Sequence, residues 1–310
     1  MANPKYLRHS EIDKIKWDRC IKNAPNQLIY AWSFYLDIMS PGWDALVMND
    51  YEIVMPLTFR KKWGIRYLYQ PPFTQQSGIS GKGIDASIVT LFLNKAAELF
   101  PFIEINLNYS NDYNAGTKNC NLVLSLNKPF EEIKSSFRKD LITKAKNAQL
   151  IYGKGDNISG AIDLYKLYYS NRISHVTKDH YERLRQLCNH LKNAGQLLIR
   201  EVKSPSGEVL AISILYKDDN RIYYILSATL PGGRMFDANA FLLHEVIREF
   251  SGQDLLFDFE GSNIPGIQFF FKKFGAIDQP YYSVKINRLP FLLKKVKKIS
   301  DRIKKRSDNF

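Results

Sequence analysis

The order of periodic segments in the second half of the chain restricts the possible folds most strongly. Helical periodicity over about residues 131–148 is followed by a short strand at "LIYGKG", two helices, and three strands that end with "RIYYILSAT". A helix in "DANAFLLHEVIREF", a strand in "LLFDFEG", a helix in "GIQFFFKKFG" and a strand in "YYSVKIN" come next. This order predicts an α/β (α+β) fold, in which a mixed, mostly antiparallel sheet is flanked by helices.

The first half of the chain contains the middle of the same series. The strands "DALVMN", "YEIVMPLTFRKK" and "IRYLYQPPFTQQSG" precede a helix in "DASIVTLFLNKAAELF" and a strand in "FIEINLNYS". Asp85 and Asp237 open the corresponding helices, and Arg66 and Arg221 precede the corresponding strands. Two related domains in tandem explain this order economically, although Asp is a common helix N-cap and such matches also arise by chance.

Length and charge fit two domains with a polyanionic partner. The 310 residues exceed the roughly 100–200 of one domain, and 44 Lys and Arg against 31 Asp and Glu give a net charge of +13. RNA, phosphorylated substrates and anionic lipid are the partners that this charge favours.

Three cysteines without a C-x-x-C spacing predict neither a disulfide framework nor a metal site. A polar N-terminus and the lack of an 18-residue apolar run predict a cytoplasmic protein.

Two short motifs carry a resemblance to a known family. "DFEG" follows a strand, and "FKKFGA" comes one helix later, with one residue fewer between the lysines and the phenylalanine than in F-K-K-G-F-G. These motifs, and the element order over 131–287, resemble the GNAT acyltransferase fold in the tandem arrangement of the Fem-type aminoacyl or peptidyl transferases. The resemblance implies GNAT-like domains at 1–128 and 129–288, followed by a basic amphipathic tail helix at 289–310.

The resemblance also implies a reaction. In the GNAT fold the fourth and fifth strands splay apart, and the acyl donor and acceptor meet in the gap. We therefore expect an acyl or aminoacyl unit to move from an activated donor, such as charged tRNA, to an amine of a cell-wall precursor. The amine is expected to attack the donor directly, without a covalent enzyme intermediate, because the sequence shows no recognisable Ser-His-Asp or Cys-His arrangement. The alternatives are a CoA-dependent N-acetyltransferase with an atypical phosphate loop and a non-catalytic module that binds RNA or membrane.

Three residues of the "DFEG" and "FKKFG" motifs are the catalytic candidates. Strand alternation places Asp258 and Glu260 on one face at the end of a strand, where a carboxylate can take the proton of an attacking amine. They could instead orient backbone N–H groups at a turn or pair with a lysine. The resemblance implies that Lys272 stabilises charge on the transferring group or holds an acidic ligand, and otherwise it is a favourable cation at a helix end.

The acceptor side of the predicted cleft has further binding candidates. Asn263 lies in "GSNIPG", which offers backbone N–H groups at a helix N-terminus with Pro265 in the first turn, and Phe271 contributes an aromatic wall. Arg172 and His175 lie in a polar loop between two helices and form a second candidate pair. His244 shares a helix face with apolar residues, so a packed histidine is the default interpretation and a catalytic base the alternative.

Two loops are predicted to contact substrates. In "YLYQPPFTQQSG" the uncharged side chains of Tyr69, Gln70, Gln75 and Gln76 suit amide or sugar groups, unless the loop is only a rigid connector.

The second loop, "LPGGRMFDANAF", departs from the R/Q-x-x-G-x-G/A pattern that holds the CoA pyrophosphate. A carboxylate at Asp237, as the helix N-cap, would satisfy the free N–H groups and repel pyrophosphate, which Arg234 offsets in part. No cofactor is therefore expected, and acetyl-CoA is disfavoured.

Two basic segments suggest polyanionic partners. "KSSFRKDLITKAKNAQ" is expected to form a positive helix face for phosphates, made of Lys134, Arg138, Lys139, Lys144 and Lys146. Residues 290–310 carry eight Lys and Arg and two Asp, with apolar residues at helical spacing. This segment suits peripheral attachment to the anionic inner membrane face, RNA binding, or docking on its own domain.

Overall fold

The computed structural model describes residues 3–170 and 176–291, with the backbone alone at residues 144 and 147. The strands are β1 Lys5–Leu7, β2 Asp44–Met48, β3 Ile53–Leu57, β4 Phe59–Lys62, β5 Ile65–Tyr69, β6 Ser80–Gly81, β7 Phe102–Asn106, β8 Thr117–Asn119, β9 Leu122–Ser125, β10 Ile151–Gly155, β11 Leu197–Lys203, β12 Val209–Lys217, β13 Arg221–Thr229, β14 Leu256–Asp258, β15 Ile277–Asp278 and β16 Tyr281–Asn287. The helices are α1 Lys14–Asn23, α2 Ser33–Met39, α3 Ala86–Leu99, α4 Phe130–Lys134, α5 Thr143–Asn147, α6 Ile158–Tyr169, α7 Lys178–Asn193, α8 Pro231–Met235, α9 Ala238–Phe250 and α10 Pro265–Lys272, and short 3₁₀ turns lie at His9–Glu11 and Ile29–Ala31.

The chain divides into two compact units whose boundaries differ from the predicted domains. Unit 1 consists of Met1–Asn119 and Pro280–Phe310, and unit 2 of Cys120–Gln279. The predicted first domain at 1–128 includes β9, but β9 lies between β14 and β15 in the sheet of unit 2. The predicted second domain at 129–288 includes β16, but β16 lies between β7 and β8 in a sheet of unit 1. Long-range strand pairing, which periodicity does not report, accounts for both differences.

Unit 1 is built from two sheets. The first has the strand order β1-β2-β3-β6 and the second β4-β5-β7-β16-β8. Thr58 alone separates β3 from β4, so the chain passes from one sheet directly into the other. Helix α3 begins at the N-cap Asp85, whose carboxylate accepts the N–H of Ile88, and it buries Phe92 and Leu93 completely. Aliphatic residues at helical spacing thus fold α3 onto the core of unit 1.

Unit 2 contains one seven-stranded sheet with the order β10-β11-β12-β13-β14-β9-β15. Leu215 on β12 packs in the same core cluster as Leu242 of α9. The next residue, Tyr216, points to the other face, where its hydroxyl lies 3.9 Å from the thiol of Cys188 on α7. Strand alternation therefore separates the α9 face from the α7 face, and the sheet lies between two helical layers, as the element order predicted.

The helix expected at 131–148 is interrupted, and only α4 and α5 form. The hydroxyls of Ser135 and Ser136 donate to the carbonyls of Glu132 and Ile133, each at 2.7 Å, which competes with helix propagation. The N–H of Arg138 then donates to the carbonyl of Lys273 at 2.9 Å. A tertiary contact with the end of α10 thus replaces the middle of the predicted helix.

The described residues include no helix with both the length and the apolar content needed to cross a bilayer.

Candidate functional site

Two parallel strands of unit 2 pair over only a short length. The register of β13 and β14 runs from Arg221 opposite Leu256 to Tyr223 opposite Asp258. Strand β14 ends there, whereas β13 continues to Thr229, so the edge of β13 beyond Tyr223 is not paired with β14. An opening at the carboxyl ends of parallel strands is where α/β sheets bind their ligands. We call this opening, between the outer half of β13 and the end of β14, the strand cleft.

The side chain of Asp258 connects the neighbouring strands at the closed end of the strand cleft. Oδ2 of Asp258 forms a buried ion pair with Nη1 of Arg221 and accepts the Nδ2 group of Asn121 at 3.2 Å. Oδ1 accepts the backbone N–H of Glu260 at 2.9 Å, which starts the turn after β14. Asp258 is only 1% exposed, so this carboxylate is engaged on both oxygens and shielded from water. Asp258 therefore links β13, β14 and the start of β9.

The turn after Asp258 directs the chain away from β13. Glu260 is half-buried and has a φ of 56°, and Gly261 follows with a φ of 25°. A Cβ atom at Gly261 would lie 2.3 Å from the carbonyl oxygen of Cys120 and 2.6 Å from Cα of Asn121. Oδ1 of Asn263 accepts the N–H of Cys120 at 2.9 Å. This close packing holds the turn after β14 against the chain before β9.

A β-bulge lies on the β13 side of the strand cleft. The register of β12 and β13 shifts between Ile214 and Leu215, which leaves Ile225 as an extra residue in β13. Regular alternation would place Tyr224 and Ser227, three positions apart, on opposite faces. The bulge turns both of them towards α9, and bulges often re-aim side chains in this way next to active sites.

Both re-aimed side chains bind Asn239 in the first turn of α9. The hydroxyl of Tyr224 donates to Oδ1 of Asn239 at 2.6 Å, and Oγ of Ser227 donates to the same oxygen at 2.9 Å. Burial raises the pKa of Tyr224, so its phenol stays protonated as a donor. The two bonds fix the amide, and its Nδ2 group donates to none of the residues that the structure describes. Asn239 thus offers oriented N–H donors beside the bulge.

The predicted catalytic residues take different positions. Asp258 lies in the buried ion pair and Glu260 in the turn, so the two carboxylates do not share one open face. Nζ of Lys272 lies 3.1 Å from Oδ2 of Asp278, and both of these side chains are about half exposed. Phe271 is 6% exposed and packs against Phe259 in the core, with ring centroids 4.9 Å apart, so it forms no exposed wall. Oδ1 of Asn263 is engaged with the backbone N–H of Cys120, before β9.

The loop predicted to hold or reject pyrophosphate forms the short helix α8. The N–H groups of Gly233 and Arg234 both donate to the carbonyl of Leu230, at 3.0 and 3.2 Å. Gly233 is packed so closely that an added Cβ would lie 2.1 Å from the carbonyl oxygen of Leu210, whereas Arg234 is exposed. Asp237 is the N-cap of α9, as predicted, but its carboxylate makes no capping hydrogen bond. The carboxylate of Asp237 therefore does not occupy the N–H groups of α9 as expected, whereas two backbone donors of the loop are used within α8.

Unit 1 has the corresponding parallel pair, β5 and β7, but a loop fills its end. The backbone N–H of Asn106 donates to Oε1 of Gln70 at 2.9 Å, and its Nδ2 group donates to the carbonyl of Gln75 at 2.7 Å. Gln76 is completely buried and accepts the N–H of Tyr109 at 2.7 Å. The loop is thus held in place by hydrogen bonds of its own glutamines, and Gln76 has no exposed surface.

Two other predicted residues have structural neighbours that explain them. The guanidinium carbon of Arg60 lies over the ring of Tyr69, 4.1 Å from the ring centroid. His244 is 6% exposed, with Nδ1 2.8 Å from Oε1 of Glu245 and the ring of Phe130 at 5.1 Å, which is the packed arrangement. Arg172, His175 and residues 292–310 of the tail lie outside the described residues. In the first basic segment, Arg138, Lys139 and Lys146 are exposed.

The sequence did not draw attention to Tyr224, Ser227 and Asn239. Their signal would have been the polar residues of "SAT" in an otherwise apolar strand and the amide directly after Asp237-Ala238. The bulge that brings them together depends on the register with β12, which a single strand does not reveal.

Comparison with known proteins agrees with this geometry. A family model described as an acetyltransferase (GNAT) domain matches residues 136–270. No curated protein matches the chain. The crystal structure of FemX is similar with a TM-score of 0.63 and 13% identity, over 89% of this chain and 96% of that chain.

Two further solved structures are similar over most of the chain. A tandem GNAT protein from the clavulanic acid biosynthesis pathway gives a TM-score of 0.51 at 9% identity, covering 93% of this chain and 100% of that one. L-PGS from Bacillus licheniformis gives 0.50 at 12% identity, covering 95% and 97%. Residues 136–270 thus match a GNAT acetyltransferase domain, and the predicted fold of two GNAT-like domains in tandem is confirmed.

Proposed function

We propose that the acyltransferase domain of unit 2 moves an acyl or aminoacyl unit from an activated donor to an amine at the strand cleft. The observation that carries this proposal is the pairing of β13 and β14, which stops after three residues and leaves the bulged edge of β13 beside Asn239. Unit 1 has no equivalent opening within its described residues, because the loop containing Gln76 fills the end of its parallel pair. Unit 2 is therefore our proposed catalytic unit.

The chemistry follows from the groups at the strand cleft. The amine nitrogen attacks the acyl carbonyl carbon and forms the new C–N bond, and the donor oxygen or sulfur leaves with its electron pair. Charge develops on the carbonyl oxygen, where Nδ2 of Asn239 is our proposed hydrogen-bond donor. The amine proton must pass to a base, and Glu260 is our proposed acceptor because both oxygens of Asp258 are already engaged.

For the donor we propose charged tRNA, with no bound cofactor. The N–H groups of Gly233 and Arg234 are used inside α8, so they do not form a pyrophosphate cradle. Arg138, Lys139 and Lys146 are exposed cations that could contact a polyanion. For the acceptor we propose an amine of a cell-wall precursor, following the Fem-type resemblance, with peripheral membrane attachment through 290–310.

Acetyl-CoA is the second candidate donor, and one observation favours it. Asp237 does not cap the first turn of α9, so its carboxylate does not occupy the helix N–H groups as the sequence suggested. A CoA-dependent N-acetyltransferase would use these groups in place of those of α8.

The donor is tested by direct transfer. The nuclease-treated full-length chain is incubated with amine acceptors, including lysine-containing peptides and amino sugars, and with a labelled acyl group on either tRNA or CoA. We expect a labelled amide product from charged tRNA and none from acetyl-CoA. Product from acetyl-CoA alone would select the second candidate, and no product from either donor would refute transfer by this chain.

A further inference from the structure

Unit 1 contains a cavity that the proposed reaction does not use. Its volume is about 420 Å³, within the usual range for small-molecule sites. Tyr6 of β1, Asp44 of β2, Phe59 of β4 and Arg66 of β5 contribute to its lining, with Arg8 at the rim. It therefore lies where the two sheets of unit 1 diverge, away from the end of β5 and β7.

The guanidinium of Arg66 is fixed in this cavity before any ligand binds. It lies 3.9 Å from the ring centroid of Phe59 and 5.0 Å from that of Phe100. Its Nη1 donates to the hydroxyl of Tyr6 at 3.3 Å, and its Nη2 forms an ion pair with Asp44. Stacking and pairing together hold the planar group still, so a ligand would bind it without the entropic cost of ordering it.

The cavity has unused donors, whereas both oxygens of its buried carboxylate are already engaged. Oδ2 of Asp44 forms the ion pair with Arg66 and accepts a hydrogen bond from the hydroxyl of Tyr6 at 2.7 Å. Oδ1 accepts a hydrogen bond from the backbone N–H of His9 at 3.0 Å. A guanidinium has five N–H donors, and those of Arg66 that the described residues accept are one on Nη1, to Tyr6, and one on Nη2, to Asp44, so each of these nitrogens keeps a second donor. A bound oxyanion can accept from both of these remaining donors.

The charge of the lining points to the same kind of ligand. Arg8 and Arg66 are cationic and Asp44 is anionic, so these three groups sum to one positive charge. We propose that the cavity binds the oxyanion group of a small organic molecule, a phosphate or a carboxylate, through Arg66 and Arg8. This site does not depend on the proposed acyl transfer.

The test is calorimetric titration of the full-length chain in chloride buffer at constant ionic strength, with phenyl phosphate and benzoate as the two probes. We expect saturable binding of at least one probe, and the tighter probe identifies the oxyanion. Arg8→Ala is expected to weaken that binding several-fold, because the exposed Arg8 supports the ligand and not the fold. Arg66→Lys keeps the charge but loses the planar fork, and we expect its binding to be at least about tenfold weaker.

Arg60→Ala is the matched control, because Arg60 is an exposed arginine on the neighbouring strand that does not line the cavity. It removes the same charge, and we expect its affinity to equal that of the unchanged protein. The proposal is overturned if neither probe binds saturably. The proposal is also overturned if Arg8→Ala and Arg66→Lys both bind the probe as tightly as the unchanged protein. A weakening in Arg60→Ala as large as that in Arg8→Ala would overturn it as well.

Discussion

At the scale of single residues, the structure changes the interpretation of the acidic pair in "DFEG". Alternation correctly placed Asp258 at the end of a strand, but it could not show that Arg221, 37 positions earlier, lies beside it. Side chains of two strands meet through tertiary pairing, which local sequence does not encode. Asp258, which the sequence suggested as a proton acceptor, lies in a buried ion pair that joins β13 to β14.

Replacing Asp258 separates these two roles. Asp258→Asn leaves Arg221 buried without its counter-charge, and we expect it to lower the free energy of unfolding by about 3–5 kcal/mol. Denaturant titration measures the loss. The double variant Arg221→Gln with Asp258→Asn should lose less than the sum of the single variants, because it leaves no unpaired charge. An Asp258→Asn protein of unchanged stability that has lost activity would restore Asp258 as the base.

A second buried network predicts how stability depends on pH. Glu249 on α9 accepts hydrogen bonds from Arg200, through Nη2 at 2.6 Å, and from Tyr152. Burial raises the pKa of Glu249, but the bonds from Arg200 and Tyr152 outweigh burial and hold that pKa below its usual value. The stability from this group is therefore present above the ordinary glutamate pKa, about 4.3, and is lost as pH falls through the lower folded-state value.

Glu249→Gln should remove that pH-dependent contribution. We expect a loss of about 1–3 kcal/mol near neutral pH, which shrinks as the pH approaches 3. Denaturant titrations from pH 3 to 7 measure the difference. Glu98→Gln, in an exposed pair with Lys95, is the control and should follow the unchanged protein at every pH. A constant difference between Glu249→Gln and the unchanged protein would contradict the assignment.

At the scale of elements, periodicity predicted most strands and helices of unit 2, including β13, α9 and α10. It did not predict the bulge at Ile225, because the bulge exists only in the pairing of β13 with β12. It also did not predict α8, since "PGGRM" contains two glycines and looks like a loop. Those two elements decide which side chains and N–H groups face the strand cleft, so the site was harder to predict than the fold.

Substitutions of the two adjacent glycines of α8 test how this helix packs against β12. Gly233→Ala would place a Cβ 2.1 Å from the backbone oxygen of Leu210, and we expect a loss of about 1–3 kcal/mol. Gly232→Ala meets the side-chain end of Leu210 at 3.3 Å and Oε1 of Glu208 at 3.9 Å, and we expect a change below about 1 kcal/mol. Thermal unfolding of both variants provides the comparison. Equal effects of the two substitutions would show that α8 is not packed against β12.

At the scale of the whole molecule, the tandem arrangement was predictable from the repeated order of elements, but the boundaries were not. β9 precedes the helices of the second repeat and still pairs with β14, and β16 follows them and still pairs with β7. Each strand is apolar enough to suit either sheet. Only the pairing assigns it, so a reading in chain order divides the molecule at different positions.

Fragments provide a test of the observed division. Residues 120–279 include all seven strands of unit 2, and we expect this fragment to unfold in one cooperative transition. Residues 129–288 lack β9, which leaves β14 and β15 without the strand between them, and we expect no cooperative transition. Circular dichroism during denaturation distinguishes them. A cooperative 129–288 fragment beside an unfolded 120–279 fragment would contradict the division.

The most direct test of the central claim, that the strand cleft of unit 2 carries out the transfer, is kcat for the active donor in Asn239→Asp. This variant can still accept hydrogen bonds from Tyr224 and Ser227, but it has lost the Nδ2 donors. We predict a decrease in kcat of about 10²–10³-fold with unchanged thermal stability. Ser213→Ala, which replaces a buried hydroxyl with no described partner, should retain full activity. An Asn239→Asp protein with the kcat of the unchanged chain would place the chemistry elsewhere.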